Sequence, residues 1–207
     1  MGLYSARILP WCIDVALRGE PVGELRESIL RGLSGTVLEV GFGTGLSVRH
    51  YPPAIQRLYV LDPGIPPFRR VARRKSAAPF PIETLHFEPN LPYPLPDHAV
   101  DAVTSMFTLC TIPDPEAALR EIYRVLKPGG TFAFLEHGLA ESPGLSRWQS
   151  RLTPVWGCFT GGCHLDRDIP RVVASGGFDN VRHERIRLET MPALLGRLFR
   201  GSALKER

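Results

Sequence analysis

The chain has 207 residues, of which 43% are hydrophobic and 22% charged. That composition excludes wholesale disorder and collagen-like repeats, and the length suits one domain that buries a core without disulfide or metal staples. The formal charge is +4, from 25 Lys and Arg against 21 Asp and Glu, too mild for a strong nucleic-acid binder. The one dense basic run, Arg69, Arg70, Arg73, Arg74 and Lys75, reads as the solvated face of a surface helix. Cys12, Cys110, Cys158 and Cys163 make no CxxC pair. Neither a disulfide framework nor a metal site is expected. No run of about 18 apolar residues and no leader-like segment stands out, so the expectation is a cytoplasmic protein with no stable membrane span.

The first 34 residues read as a helical preface. Ile8, Leu9, Trp11, Cys12, Val15 and Ala16 lie near helical spacing around Pro10, and a second helix fits Val22 to Leu33. Thr36 to Val40 is a short apolar, β-rich run that suits a buried strand ending at Gly41. A short helix is predicted from Gly45 to Tyr51, cut off by Pro52 and Pro53. Strands are predicted at Leu58 to Leu61, Ile82 to Phe87 and Ala99 to Met106, with a helix from Pro66 to Lys75 after the first of them. Pro115 to Leu126 has helical spacing and stops at the turn Lys127-Pro128-Gly129-Gly130. Thr131 to Leu135 is a fifth strand. Ser142 to Asp168 reads as an irregular aromatic insertion. A helix from Ile169 to Ser175 and two closing strands, Asn180 to Leu188 and Leu195 to Ala203, complete the chain. Strands alternating with helices predict an α/β fold with a mostly parallel sheet.

The segment Glu39-Val40-Gly41-Phe42-Gly43-Thr44-Gly45 lies between a strand and a predicted helix. Alternate glycines let the backbone turn sharply and approach a ligand. The third glycine comes one residue earlier than in the dinucleotide pattern GxGxxG. This ExGxGxG spacing resembles the cofactor loop of class I S-adenosylmethionine-dependent methyltransferases. Asp62 ends the second strand 21 residues after Gly41, where a carboxylate accepts ribose hydroxyls. Leu91-Pro92-Tyr93-Pro94, Asp97 and Val100-Asp101-Ala102-Val103 resemble a stretch of the ubiquinone/menaquinone-type branch of these enzymes. Glu121 to Gly130, read as EIYRVLKPGG, is similar to the same branch.

The resemblance implies a Rossmann-like class I methyltransferase sheet, mostly parallel with an antiparallel last strand and helices on both faces. It implies one methyltransferase domain over residues 1–207, with a helical cap at 1–34, a cofactor-binding core at 36–135 and a substrate-side insertion at 142–168. The cofactor would be S-adenosyl-L-methionine and the product S-adenosyl-L-homocysteine. Carried over onto this sequence, its contacts would be Glu39, Gly41, Phe42, Gly43, Gly45, Asp62, Pro63, Leu91, Met106 and Phe107. Phe87 stands where the branch has an adenine-binding Asp. Glu88, Asn90 or a backbone group beside Phe87 is left to take that contact.

Three later features resemble the methyltransferase-like 7 group: Leu109-Cys110, Glu136-His137, and Trp148-Gln149 with Pro154-Val155-Trp156 and Gly162 to Arg167. They imply a small, fairly apolar methyl acceptor, a thiol first. O-, N- or C-methylation of a quinone, lipid or secondary metabolite is the alternative, and a non-catalytic cofactor-binding protein a further one. A base-modifying nucleic-acid enzyme would carry a [D/N]PP[Y/F] tetrad where Met106 to Cys110 stand. His137 follows the fifth strand, where such sheets bind ligands, and reads either as a base or acceptor-orienting group or as a structural histidine. Cys110 reads as a reactive thiol near the methyl group or as a small buried hydrophobe. Tyr4, Trp11, Trp148 and Trp156 are the candidate acceptor-side aromatics, with packing as their other reading.

Overall fold

The computed structural model describes residues 3–86, 88 and 91–206. Phe87 and Asn90, two of the three residues on which the adenine expectation turns, lie outside the described residues.

The preface is helical: a π-helical turn, Tyr4–Ile8, runs into α1, Leu9–Leu17, and α2, Glu20–Leu30, follows. Then come β1, Gly35–Val40; a 3-10 turn, Val48–His50; β2, Ile55–Leu61; α3, Arg69–Ser76; and β3, Ile82–Leu85. The rest is β4, Val100–Met106; α4, Pro115–Val125; β5, Leu126–His137; α5, Pro143–Thr160; α6, Ile169–Ala174; β6, Asp179–Arg187; and β7, Arg197–Leu204. The seven strands form one sheet in the order β3-β2-β1-β4-β5-β7-β6. β1 to β5 pair in parallel, and β7 lies antiparallel to both β5 and β6.

β1 shows why Val37, Leu38 and Val40 are apolar. It is a central strand, and alternate side chains feed two cores. Leu38 and Val40 pack in the layer that contains Leu119, Ile122 and Val125 of α4 and Val172 and Val173 of α6. Val37 packs on the other face with Val22 and Leu30 of α2 and Val71 of α3. Helices therefore cover both faces. The strand order reverses between β1 and β4, so their C-terminal ends open a crevice of the kind that binds ligands in such sheets.

The EIYRVLKPGG stretch proves to be a clamp. Arg124 donates to the carbonyls of Tyr93 and Leu95 and to the carboxylates of Asp97 and Glu121, at 2.7–3.0 Å. Lys127 Nζ donates to Asp101 Oδ1 at 2.6 Å, and Asp101 Oδ2 accepts from Thr36 N at 2.8 Å. The two motifs thus hold each other and fix β4 against β1, far along the strands from the glycine loop.

Three local expectations differ from the structure. The stretch after Gly45 holds only the single 3-10 turn Val48–His50, because Pro52 and Pro53 leave no length for an α-helix. Arg70 and Arg74 of the basic run turn inward to the buried Asp14 instead of facing solvent. The aromatic insertion contains an 18-residue helix, α5, which continues through Pro154. An interior proline costs about 3 kcal/mol, and anchors within α5 offset it. Buried Gln149 accepts from Ala140 N at 2.8 Å and donates to Gly138 O and Leu194 O at 3.2 Å. Thr153 Oγ1 bonds Asp166 at 3.0 Å. Among the described residues, no helix is long and apolar enough to cross a membrane.

Candidate active site

The glycine loop leaves β1 in a left-handed conformation that only glycine adopts without strain. At Gly41, φ is +80°, and a Cβ there would sit 1.9 Å from Thr108 Oγ1. At Gly43, φ is +55° and nothing lies within 4 Å of where a Cβ would be, so the backbone faces an open cradle. Gly43 N donates to Asp62 Oδ2 at 2.6 Å, and Gly64 N to Asp62 Oδ1 at 2.8 Å. Asp62 at the end of β2 therefore holds the loop that follows β1. Each carboxylate oxygen keeps a further lone pair for a ligand hydroxyl. A cleft of about 450 Å³ opens beside them, lined by Gly41, Pro63, Leu91, Tyr93, Thr108 and Ile112 among others. Its dimensions and its backbone cradle suit a nucleoside. A larger groove of about 570 Å³ lies between α2 and the β6–β7 edge and includes no part of the loop.

The other cofactor-side candidates take different places. Glu39 is buried beneath the loop and accepts from Tyr51 Oη at 3.2 Å. Burial raises its pKa to about 7 against hydrogen bonds from Ser47 and Tyr51 and the field of Arg26. Phe42 is buried, and Gly45 packs on its ring. Met106 is buried at the end of β4, its sulfur accepting from Ser47 Oγ at 3.3 Å. Phe107 has φ +57° and the Arg26 guanidinium 5.7 Å from its ring centre. Glu88 lies at the surface with Oε1 3.8 Å from His86 Nε2.

On the other side of the crevice, His137 ends β5 with only 6% of its surface exposed. Its Nε2 lies 3.2 Å from the Leu194 carbonyl, and its Nδ1 is buried without a partner. A carbonyl only accepts, so Nε2 carries the proton in the neutral ring and Nδ1 keeps a free lone pair. Cys110 is buried, and its sulfur faces that of Cys163 at 3.8 Å. An apolar cavity of about 220 Å³ adjoins, walled by Leu152, Val155, Trp156, Phe159, Leu165, Pro192, Leu194 and Leu195. Leu194 joins the two features, since its carbonyl holds His137. Of the aromatic candidates, the structure brings Trp156 to this cavity. Tyr4 reaches it indirectly, its hydroxyl donating to Phe159 O at 2.6 Å. Trp11 and Trp148 stay on the surface, 52% and 57% exposed.

Two buried carboxylates had no site role assigned from the sequence. Glu136, one residue before His137, accepts from Ser105 Oγ at 2.7 Å and from the amides of Thr108 and Cys110 at 3.1 Å. It pins the loop after β4 over the crevice, and burial raises its pKa. Asp14 of α1 accepts from Thr44 Oγ1 at 2.6 Å and from Arg74, which also donates to Thr44 O at 2.9 Å. Burial opposes its charge, but these hydrogen bonds hold its carboxyl below the usual range. Asp14 is thus the preface residue that touches the glycine loop. A single acidic residue among Cys12, Ile13, Val15 and Ala16 was the available signal.

A glycine loop after β1, an acidic end to β2 and this strand order define a class I S-adenosylmethionine-dependent methyltransferase. The family described as Methyltransferase domain matches residues 38–134. Human Thiol S-methyltransferase TMT1A is 31% identical over 175 residues, which is 82% of this chain and 70% of that protein. Rat Thiol S-methyltransferase TMT1B is 33% identical over 75% of this chain, which spans 65% of that relative's length. A Haemonchus contortus phosphoethanolamine N-methyltransferase, solved with S-adenosylhomocysteine, superposes with a TM-score of 0.70 at 16% identity, over 96% of this chain and 57% of its own. That likeness shows the fold. The chain belongs to the methyltransferase-like 7, or thiol S-methyltransferase, family of class I enzymes.

Proposed function

We propose that the chain methylates the thiol of a small apolar molecule with S-adenosylmethionine as donor. The observation that carries this reading is the wholly apolar cavity beside the buried His137, whose Nε2 is held by the carbonyl of Leu194, a residue of the cavity wall. The names of the two relatives favour a thiol over other acceptors.

The donor, when bound, supplies a methyl group on a sulfonium for in-line displacement, so the protein's part is positioning and exclusion of water. Asp62 and the backbone from Gly41 to Gly43 bind the ribose and amino-acid portions. Pro63 and Leu91 would flank the adenine in the 450 Å³ cleft beside the loop. The helical cap and α5 close the acceptor side, where the Tyr4–Phe159 bond links them. A thiol has an ordinary pKa of about 8.5, so thiolate forms near neutrality with little help. His137 Nδ1 takes the proton that leaves. An alcohol would demand a far stronger base.

The test is a panel of alkyl thiols, phenols, amines and quinols with labelled donor, read by the mass of each product. Alkyl thiols should gain a methyl on sulfur with the highest kcat/KM, rising with chain length. Preferred methylation of a phenol, amine or quinol carbon would overturn the reading.

A further inference from the structure

Cys110 and Cys163 are 53 residues apart in sequence, yet their sulfurs share a hydrogen bond at 3.8 Å. Their backbones are joined as well, His164 N donating to Cys110 O at 2.8 Å. Cys110 is fixed from behind by its own amide, which donates to Glu136 Oε2 at 3.1 Å. Arg167, four residues past Cys163, donates to Ile112 O at 2.7 Å and also to Leu109 O. These bonds tie the two segments together, and a disulfide would close the sulfurs from 3.8 Å to about 2.05 Å.

The partners are unequal. Cys110 is buried at 2% exposure, whereas Cys163 is half-buried and meets solvent first. The contact with Cys110 pulls the Cys163 thiol below its ordinary range, against its own burial. The same hydrogen bond, burial and the Glu136 carboxylate push the Cys110 thiol above it. A half-buried cysteine that meets solvent, backed by a fully buried one, is the arrangement of an attacking and a resolving cysteine.

We propose that Cys163 and Cys110 form a peroxide-reactive dithiol that closes to an internal disulfide, with Cys163 attacking and Cys110 resolving. In the first step the Cys163 thiolate attacks hydrogen peroxide, the O–O bond breaks, and Cys163 becomes a sulfenic acid. The leaving hydroxide takes a proton to become water. In the second step Cys110 sulfur attacks Cys163 sulfur, the S–O bond breaks, and the Cys110 proton leaves with the hydroxyl as a second water. Two thiols are oxidised by two electrons, and the peroxide is reduced by two. A small dithiol reverses the bond by exchange. The closed form ties the loop after β4 to the segment behind α5, a link that methyl transfer does not require.

The experiment treats the full chain, all four cysteines present, with equimolar hydrogen peroxide. Intact mass and peptide mapping then locate the oxidation. The expected result is loss of two hydrogens, a Cys110–Cys163 cross-link restored to thiols by dithiothreitol, and Cys163 consumed about tenfold or more faster than Cys12 or Cys158. Cys110→Ala should trap Cys163 as a sulfenic acid that reacts with dimedone, and Cys163→Ser should leave Cys110 a thiol. A cross-link through Cys12 or Cys158, conversion of wild-type Cys163 to sulfinic acid without a link, or equal oxidation of Cys110 in Cys163→Ser would overturn the proposal. The wild-type map decides the link even if a variant fails to fold. None of these readouts depends on the methyl acceptor.

Discussion

On the cofactor side of the crevice, the groups come from short, contiguous pieces of chain: Glu39 to Gly45 at the end of β1 and beyond it, and Asp62 to Gly64 after β2. On the acceptor side they come from segments that meet only in three dimensions. Tyr4 reaches Phe159, Leu194 holds His137, and Cys110 faces Cys163. The first side is built from backbone and strand ends, which the sheet positions for any member of the class. The second is built from a strand end, loops and helices that are far apart in the chain, each held by its own anchor. On the proposed reading, this difference puts specificity on the acceptor side, which would change without disturbing the cofactor side.

Gln149→Leu attacks that division hardest. It strips one amide and two carbonyls of their buried partner, at about 1–3 kcal/mol each. A loss of about 4 kcal/mol, or roughly 8–16 °C in Tm, is expected by calorimetry. If the two sides are independent, donor affinity by titration calorimetry stays within about twofold of wild type. A parallel loss of donor binding would break the comparison.

Glu39 tests the cofactor side through pH. Its folded carboxyl keeps a proton to about pH 7 while the unfolded one titrates near 4.5. The folded state thus binds more protons across that window, and stability falls by about 3 kcal/mol as pH rises through it. Glu39→Gln should flatten that part of a urea-unfolding profile between pH 5 and 7.5. An unchanged slope would show that another group, such as Glu136, carries it all.

His137→Gln sharpens the acceptor side. Turnover of a thiol at pH 7 should fall about a hundredfold. Most of it should return near pH 9.5, where the acceptor is already thiolate. A merely structural histidine would give a loss that high pH leaves in place. The smallest effect concerns Asp62→Ala, which should weaken donor binding by more than about tenfold and leave the acceptor KM unchanged. Full donor affinity in that variant would place the ribose elsewhere.

How much of this was legible follows the same line. The glycine loop and the position of Asp62 could be read because their geometry is local: a turn needs glycine within a few residues of a strand, and β2 pairs beside β1. The EIYRVLKPGG stretch was legible as a pattern, but its reason was not. Arg124 binds Tyr93, Leu95 and Asp97, about 27–31 residues away, and only the folded sheet shows that clamp. Helix α5 was hidden by Pro154, a local breaker that Gln149 and Thr153 override through tertiary bonds. Arg70 and Arg74 read as solvated because nothing in α3 reveals that Asp14 of α1 lies against them.

By itself, the sequence determined the α/β class, a mostly parallel sheet and the glycine loop after β1, because periodicity and glycine chemistry act over a few residues. Only the tertiary structure decided which groups share the acceptor side. His137 gains its free Nδ1 from Leu194, 57 residues on, and Cys110 meets its partner across 53. Burial and pairing at that range depend on how the helices dock onto the sheet, and no local pattern in the chain encodes that docking.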